Sequence, residues 1–234
     1  MIKLILVDFD DTLCLSEEAC FRVENEIAGK LGFPAMTRKA HQSNWGMPLK
    51  EAIVERIPGI NADAFMALFG EVSHKYVLEG TFDHVSEENL YVLRGLREKG
   101  YKVVILTSRQ HVEVEYLISD QSPLLPVIDG FFYLERNKYK KPDPRVFLLP
   151  SETFHVRFSE MVYVGDAFMD VQWCRAAGVH FIASVESGLR TVEDFKKLGA
   201  LWFINKFSKL PQRIEELNNN ITKEPQAFTS KSVL

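Results

Sequence analysis

The sequence predicts an α/β protein with a Rossmann-like parallel sheet core and an inserted all-helical subdomain. Residues 4–7 are apolar without interruption, which is typical of a parallel strand that is buried on both faces. From Ser86 onward, predicted strands alternate with predicted helices, as in a parallel sheet with helices on both faces. Between these parts, residues 15–83 show only helical periodicity, and the segment is too long for a single crossover helix.

Three helices are predicted in this insert. The first begins after Ser16, the expected N-cap, and stops at Gly32. Its apolar residues recur at helical spacing: Cys20, Val23, Ile27, Leu31. A second helix is predicted over residues 49–56 and ends near Pro58 and Gly59. The third has an apolar face of its own: Phe65, Leu68, Phe69, Val72, Tyr76. These stripes allow the helices to pack against one another as a unit.

The remainder of the chain reads as alternating helices and strands. A helix from Ser86 to Leu96 stops at Gly100, and others follow Arg109 and Asp170, the latter ending at Gly178. Strands are predicted at residues 101–106, 127–134, 161–164, 180–183 and 201–204. A final helix has an amphipathic stripe: Leu210, Ile214, Leu217, Ile221. We therefore assign residues 1–14 and 84–217 to the core, 15–83 to the helical insert and 218–234 to a polar tail that is expected to fray.

Composition excludes several classes of protein. Of the 234 residues, 46% are hydrophobic, which is enough for a packed core, and the formal net charge of −4 disfavours binding to nucleic acid. Only three cysteines occur, Cys14, Cys20 and Cys174, without the spacing of a zinc site. No signal peptide is recognisable, and no stretch approaches the roughly 20 apolar residues of a membrane helix. We expect a cytoplasmic monomer or homodimer that binds neither membranes nor nucleic acid.

Polar residues follow four different predicted strands. They are Asp8, Thr107, Lys141 and Asp166. In parallel sheets, ligands bind beyond the carboxyl ends of the strands, so these side chains should converge. Burying the carboxylates of Asp8 and Asp10 requires a positive partner, and Mg²⁺ suits oxygen ligands of this kind.

Each of these residues also has a local explanation. Asp8 and Asp10 could cap a turn, and Thr107 with Ser108 could N-cap the next helix. The pair at 140–141 could be a solvated loop, and Asp166 with Asp170 could be charges favoured by a helix N-terminus. These explanations are independent of one another, whereas a single phosphate-binding site accounts for all four positions.

Four motifs in this order resemble the haloacid dehalogenase-like hydrolase superfamily. The first two are Asp8-Phe9-Asp10-Asp11-Thr12, which fits D-x-D-x-T, and Thr107 at a strand end. The others are Lys141-Pro142 and the stretch 165–170, which fits G-D-x-x-x-D. The resemblance extends to about residue 206. It is greatest to the phosphoglycolate-phosphatase-like branch, which carries a helical cap where this chain has its insert.

The resemblance implies a role for each motif residue. Asp8 is the nucleophile that forms an aspartyl-phosphate, and Asp10 is the general acid and base. Thr107, Ser108 and Lys141 bind the phosphoryl group, and Lys141 also supplies positive charge. The implied Mg²⁺ ligands are Asp8, the backbone carbonyl of Asp10, Asp166 and Asp170, although Asp170 could instead orient Lys141. Many relatives have glycine before this lysine, so Lys140 is a second candidate for its role.

The sequence thus predicts a Mg²⁺-dependent phosphatase that hydrolyses a small phosphorylated metabolite. A phosphomutase of the same fold is an alternative, as is a non-catalytic phosphate- or partner-binding protein. A phospho-accepting receiver domain would lack the second carboxylate of Asp10. The insert is expected to act as a lid that sets substrate choice, or otherwise as a dimerisation module. Its candidate substrate contacts are Arg22, Arg38, Lys39, His41, Trp45 and Lys50.

Overall fold

A computed structural model describes residues 1–223 and contains one six-stranded parallel sheet. Its strands are β1 (Leu4–Val7), β2 (Lys102–Leu106), β3 (Gly130–Phe132), β4 (Met161–Gly165), β5 (His180–Ser184) and β6 (Phe203–Ile204). They lie in the order β3-β2-β1-β4-β5-β6, and every neighbouring pair is parallel. The predicted α/β fold class is confirmed.

Strand β1 lies at the centre of the sheet, where it is buried on both faces. Its last residue, Val7, pairs with Ile105 of β2 and with Val164 of β4. The carboxyl ends of the three strands are therefore level with one another. Whatever follows Val7 in the chain enters the edge of the sheet between the residues that follow β2 and β4.

Helices cover both faces of the sheet. They are α5 (Glu87–Glu98), α6 (His111–Val114), α7 (Leu148–Phe154), α8 (Phe168–Ala177), α9 (Val192–Lys197) and α10 (Leu210–Lys223). Ile5 and Val7 pack on the face covered by α5 and α10. Leu4 and Leu6 point to the opposite face, toward α7 and α8. This alternation follows from the two-residue period of a strand and explains why β1 is apolar throughout.

The insert, residues 15–83, contains four helices. They are α1 (Glu17–Lys30), α2 (Arg38–Gln42), α3 (Leu49–Arg56) and α4 (Ala62–Leu78). Apolar residues of α1, α3 and α4 form a cluster distinct from those of the sheet: Cys20, Val23, Ile27, Leu49, Ile53, Phe65, Phe69, Val72. The helical content agrees with the sequence pattern, whereas the division of the chain into separate domains stays a prediction. Within residues 1–223, no helix has the length and apolar character to span a bilayer.

Several elements differ from the sequence prediction. Ser16 occupies the predicted N-cap position of α1, but its side chain makes no capping bond, because the hydroxyl donates to Asp10 instead. Asp11 Oδ1 accepts from the backbone of Ser16 and Glu17. Helix α2 was not predicted, since five residues carry little periodicity. The helix after Arg109 is a single turn, and the strand predicted at 127–134 has only three residues. Short elements are decided by packing rather than by local pattern.

The expectation that the chain frays from Asn218 is wrong for the described residues. Helix α10 continues to Lys223, and residues 224–234 lie outside the described part of the chain. Asn218 accepts a hydrogen bond from the backbone nitrogen of Ile2 at 2.7 Å and donates to the Tyr101 hydroxyl at 3.1 Å. A polar side chain read as part of a tail therefore ties the C-terminal helix to the start of β1.

We expect Asn218→Ala to lower the free energy of unfolding by about 1–3 kcal/mol, because it leaves the Ile2 amide without its acceptor. Urea denaturation provides the measurement. Asn219→Ala is the matched control: Asn219 is exposed on the same helix, and alanine has the higher helix propensity, so stability should be unchanged or slightly higher. Equal effects of the two substitutions would contradict the role assigned to Asn218.

Candidate active site

Asp8 is the first residue after β1, and it lies at the carboxyl edge of the sheet. Its backbone nitrogen continues the ladder by donating to Val164, so the sheet fixes its position. The carboxylate is buried, and its Oδ2 accepts a hydrogen bond from Lys141 Nζ at 2.9 Å. Its Oδ1 accepts from the backbone nitrogen of Phe9 at 2.8 Å.

Lys141 is the cation that faces Asp8. Burial alone would lower the pKa of this lysine, but the charges of Asp8 and Asp170 outweigh burial and raise it, so the ammonium is retained. Nζ also donates to the Tyr163 hydroxyl at 2.9 Å. The Lys141 side chain is 10% exposed, whereas Lys140 is 55% exposed and pairs with Glu51. Of the two lysines that the sequence left as candidates, the structure brings Lys141 to Asp8.

Three carboxylates form the group best suited to hold a metal ion. Asp8, Asp166 and Asp170 are buried, and one oxygen from each lies within 4.8 Å of the others. Burial raises the pKa of Asp166 well above its usual range, although the nearby charge of Arg190 acts in the opposite direction. Burial likewise raises the pKa of Asp170, to about 6. Ionised carboxylates this close together repel one another unless a cation lies between them, and Mg²⁺ is a cation that prefers oxygen ligands.

Asp170 also has a structural role. Its Oδ2 accepts from the backbone nitrogen of Ala167 at 2.9 Å and caps α8, and its Oδ1 accepts from Trp173 Nε1 at 3.0 Å. A Cβ at position 165 would overlap Asp170 Oδ2, which explains the need for glycine there. Asp170 therefore has both roles: its charge lies at the N-terminus of α8, and its carboxylate belongs to the three-carboxylate group.

Asp10 is not part of the three-carboxylate group, and its side chain is held by Arg109 and Ser16. Its Oδ2 accepts from Arg109 Nε at 3.0 Å and its Oδ1 from Arg109 Nη2 at 2.6 Å, with a further bond from the Ser16 hydroxyl. Burial would raise the pKa of Asp10, but the Arg109 charge and hydrogen bonds prevail and lower it. The metal contact through the backbone carbonyl of Asp10 stays a prediction.

Arg109 was not identified from the sequence. Its buried guanidinium bridges Asp10 to Asp83, and it lies over the rings of Phe9 and Phe82. Asp83 is the last residue of the insert, so this arginine connects the proposed acid–base residue to the point where the insert rejoins the core. The rule that placed Thr107 at a strand end applied equally to Arg109, two residues later. Its contact with Asp83, 26 residues away in the sequence, is not indicated by any local pattern.

Thr107 and Ser108 do not cap the following helix, whose N-cap is Gln110. The Thr107 hydroxyl accepts from the Arg109 backbone nitrogen at 3.2 Å. The Ser108 hydroxyl is buried and has no hydrogen-bond partner among the described residues, although Ser108 lines the cavity beside Asp8. A buried hydroxyl without a partner is costly, and a ligand oxygen would satisfy it.

A cavity of 40 Å³ separates these core residues from the insert. Its lining residues from the core and the insert are Asp8, Asp10, Ser108, Arg109, Glu113, Lys141, Asp166, Cys20, Glu24, Trp45, Gly46, Met47, Leu49, Arg56 and Phe69. Of the insert residues predicted to contact substrate, Trp45 alone is in this lining. The others have contacts elsewhere or are exposed: Arg22, Arg38, Lys39, His41, Lys50. Arg56 and Glu24, which were not predicted, are in this lining.

Residues 5–184 match the family model of haloacid dehalogenase-like hydrolases. The chain belongs to this family. The resemblance read from its four motifs is therefore confirmed, and with it the identification as a hydrolase. The match spans the insert and the core on either side of it, as far as the end of β5.

Two relatives of the chain are named as phosphatases. The chain is 25% identical over 192 residues to a phosphoglycolate phosphatase of Nitrosospira multiformis, covering 76% of this chain and 81% of the relative. It is 23% identical over 203 residues to a phosphorylated carbohydrates phosphatase of Thermotoga maritima, covering 86% and 93%.

Two solved structures share the fold. One is a hydrolase from Pseudomonas syringae, with a TM-score of 0.71 and 18% identity over 92% of this chain and 99% of that chain. The other is a β-phosphoglucomutase from Clostridium difficile, with a TM-score of 0.72 and 16% identity over 96% and 100%. At these identities, the similarity supports the architecture alone.

Glu113 is a buried carboxyl in the cavity wall. Burial raises its pKa from 4.5 to about 8, against the opposing charge of Arg109 and a hydrogen bond from the Gln110 backbone. The folded protein therefore keeps a proton on Glu113 at a pH where the unfolded chain has lost it. Between pH 4.5 and about 8 the folded state binds the extra proton, so stability falls as pH rises through this window.

We expect Glu113→Gln to remove part of this pH dependence. In wild type, the Glu113 contribution should lower the free energy of unfolding by up to about 1.4 kcal/mol for each pH unit in the window. Relative to wild type, the glutamine variant should gain in free energy of unfolding between pH 4.5 and pH 8.5. Urea titrations across this range provide the test, and Glu115→Gln, an exposed neighbour, is the control. Identical slopes in all three proteins would argue against a protonated Glu113.

Proposed function

We propose that this protein is a Mg²⁺-dependent phosphatase that cleaves a small phosphate monoester through an aspartyl-phosphate on Asp8. The observation that carries the proposal is the buried Asp8–Lys141 pair at the edge of the sheet. Asp8 belongs to the group of three carboxylates, and the Ser108 hydroxyl in the same cavity lining has no hydrogen-bond partner among the described residues. Family membership and two relatives named as phosphatases support it.

The reaction would proceed in two displacements. An Asp8 oxygen attacks phosphorus, the bond to the leaving oxygen breaks, and that oxygen takes a proton from Asp10. A water molecule then gives a proton to Asp10 and attacks the phosphoryl group, which breaks the bond to Asp8 and releases phosphate. Dividing the reaction in this way replaces one difficult step by two easier ones.

Electrostatic stabilisation comes from groups around Asp8. Lys141 provides a retained positive charge at the phosphoryl oxygens, and the Ser108 hydroxyl provides a donor that has no other use in the structure. Such preorganised groups often supply the largest share of a rate enhancement. Asp8, Asp166 and Asp170 would hold Mg²⁺, which when bound neutralises charge on the phosphoryl group.

Asp10 is in its basic form in this structure, because Arg109 holds it ionised. That form suits the second displacement, in which water must lose a proton. The first displacement needs the protonated form, which the Arg109 pair opposes. We therefore infer that Asp10 leaves Arg109 when the substrate binds, and Arg109 keeps Asp83 as its second partner.

The insert would act as the lid of this site. It leaves the core beyond Asp10 and returns at Asp83, and its residues form one wall of the cavity. A wall of this kind excludes water from the reacting phosphoryl group and contacts the leaving group. A dimerisation role would instead place its function on an outer surface.

We expect Asp8→Asn to reduce phosphate release by more than about 10³-fold, because an amide cannot attack phosphorus. Phosphate release from p-nitrophenyl phosphate is measured with Mg²⁺ and with excess EDTA. Rapid quench and mass spectrometry should place a phosphoryl group on Asp8 of the wild type. Asp120→Asn, an exposed substitution, is the control. Full turnover in EDTA, or an unmarked Asp8 during turnover, would overturn the mechanism; transfer to an added sugar phosphate would identify a mutase.

Asp10→Asn should lower turnover by about 10²–10⁴-fold while leaving Mg²⁺ affinity within about twofold, because its side chain moves protons and is not one of the three grouped carboxylates. Isothermal titration with Mg²⁺ gives the affinity independently of activity. Asp166→Asn is the matched comparison and should weaken Mg²⁺ binding. If Asp10→Asn loses Mg²⁺ affinity to the same extent as Asp166→Asn, the Asp10 side chain is a ligand.

A further inference from the structure

The charge distribution in the insert wall of the cavity identifies a class of leaving group. Resting on the phosphatase function above, we propose that the protein prefers phosphate esters of neutral polyhydroxy alcohols over esters whose leaving group carries a second anion. Arg56 and Glu24 of the insert are the residues that set this preference. Neither is among the residues assigned to the chemistry.

Arg56 and Glu24 form a buried ion pair that faces the cavity. Arg56 Nη1 donates to both Glu24 oxygens, at 2.8 and 2.7 Å, and the two side chains are 2% and 3% exposed. Arg56 Nε donates to Asn44, whereas Nη2 donates to none of the described residues. The pair thus presents N–H donors and carboxylate oxygens to the same space, which matches hydroxyl groups, since each of these can donate and accept.

The surrounding network leaves no surplus of positive charge. Glu24 also lies 3.3 Å from His41 Nε2, and the other ring nitrogen of His41 lies 2.8 Å from Glu17. Glu17 and Glu18 in turn pair with Arg38. Arg22 also pairs with Glu18, so three arginines face three glutamates in this network and their charges balance.

The other two cations of the cavity are already paired. Lys141 faces Asp8, and Arg109 is shared by Asp10 and Asp83. Within residues 1–223, every cation that lines this cavity thus contacts a carboxylate. A carboxylate or second phosphate on the leaving group would meet no unpaired positive charge, and Glu24 would repel it. Burying an anion without a partner is costly.

The rest of the insert wall agrees with a neutral ligand. Met47, Leu49 and Phe69 are apolar, and the Trp45 indole is also part of the lining. Binding sites for small molecules usually combine an apolar lining with a small number of polar groups. A polyol offers C–H surface to these side chains and hydroxyl oxygens to the Arg56 guanidinium.

The test compares two three-carbon esters, glycerol 3-phosphate and 3-phosphoglycerate, which differ by a hydroxymethyl group in place of a carboxylate. We expect kcat/KM to be higher for glycerol 3-phosphate by at least about tenfold, since the unpaired carboxylate is penalised. For a compound that is not cleaved, its inhibition constant against p-nitrophenyl phosphate hydrolysis replaces kcat/KM. Equal values, or a preference for the carboxylate, would overturn the proposal.

Two charge variants give opposite shifts in this ratio. Glu24→Gln leaves the Arg56 charge uncompensated and should move the ratio about tenfold toward 3-phosphoglycerate. Arg56→Gln leaves the Glu24 charge and should move it the other way. Glu71→Gln, an exposed insert residue paired with Lys30, is the control and should leave the ratio unchanged.

The variants also separate this proposal from the proposed function. Folding is checked by circular dichroism, and the wild-type ratio decides the question if a variant does not fold. Opposite shifts support charge recognition, whereas shifts in the same direction indicate a structural effect and contradict it. Failure to hydrolyse p-nitrophenyl phosphate at all would reject the phosphatase function, while hydrolysis with the wrong preference rejects the assignment of substrate class alone.

Discussion

The mutual repulsion of carboxylates buried at one edge of the sheet is the constraint on which the rest of the site depends. Asp8, Asp166 and Asp170 crowd together because β1 and β4 are neighbours whose carboxyl ends are level. Such a group is stable only if positive charge is close by. Lys141 on one side and Arg190 on the other supply it within the chain itself. Both come from loops beyond other strands, so the sheet order determines the electrostatics.

A second cation, Arg109, joins the chemistry of the core to the insert. It is held between Asp10 and Asp83, one residue in the loop after β1 and the other at the end of the insert. Burial raises the pKa of Asp83 to about 6, with Arg109 opposing this effect, so this carboxyl depends on the arginine for its charge. A movement of the insert at this point would therefore change the partners of the proposed acid–base residue.

The insert has a charged interior as well as an apolar one. Its apolar cluster packs α1 against α3 and α4, while a network of buried charges runs from Glu24 and Arg56 in the cavity lining to His41 and Glu17. Buried ion pairs contribute little to stability compared with apolar residues of the same size. Their presence beside a cavity is more readily explained by recognition of a ligand than by folding.

The sequence alone determined the α/β class and the residues at the strand ends, and it predicts where the insert lies, because these follow from local periodicity and from the rule that parallel strands end at a common edge. It also predicts, with the help of the family resemblance, that Asp8, Lys141, Asp166 and Asp170 share one site. Only the tertiary structure decided which charges meet. Arg109 and Asp83 are 26 residues apart, and Glu24 and Arg56 are 32 apart, so no local pattern connects them. The role of Asn218 was likewise decided by the tertiary structure. Its polarity predicts a frayed tail, whereas its contact with Ile2 depends on where helix α10 packs. Periodicity reports which face of an element is buried, but the partner of a buried charge is fixed only when distant segments pack together.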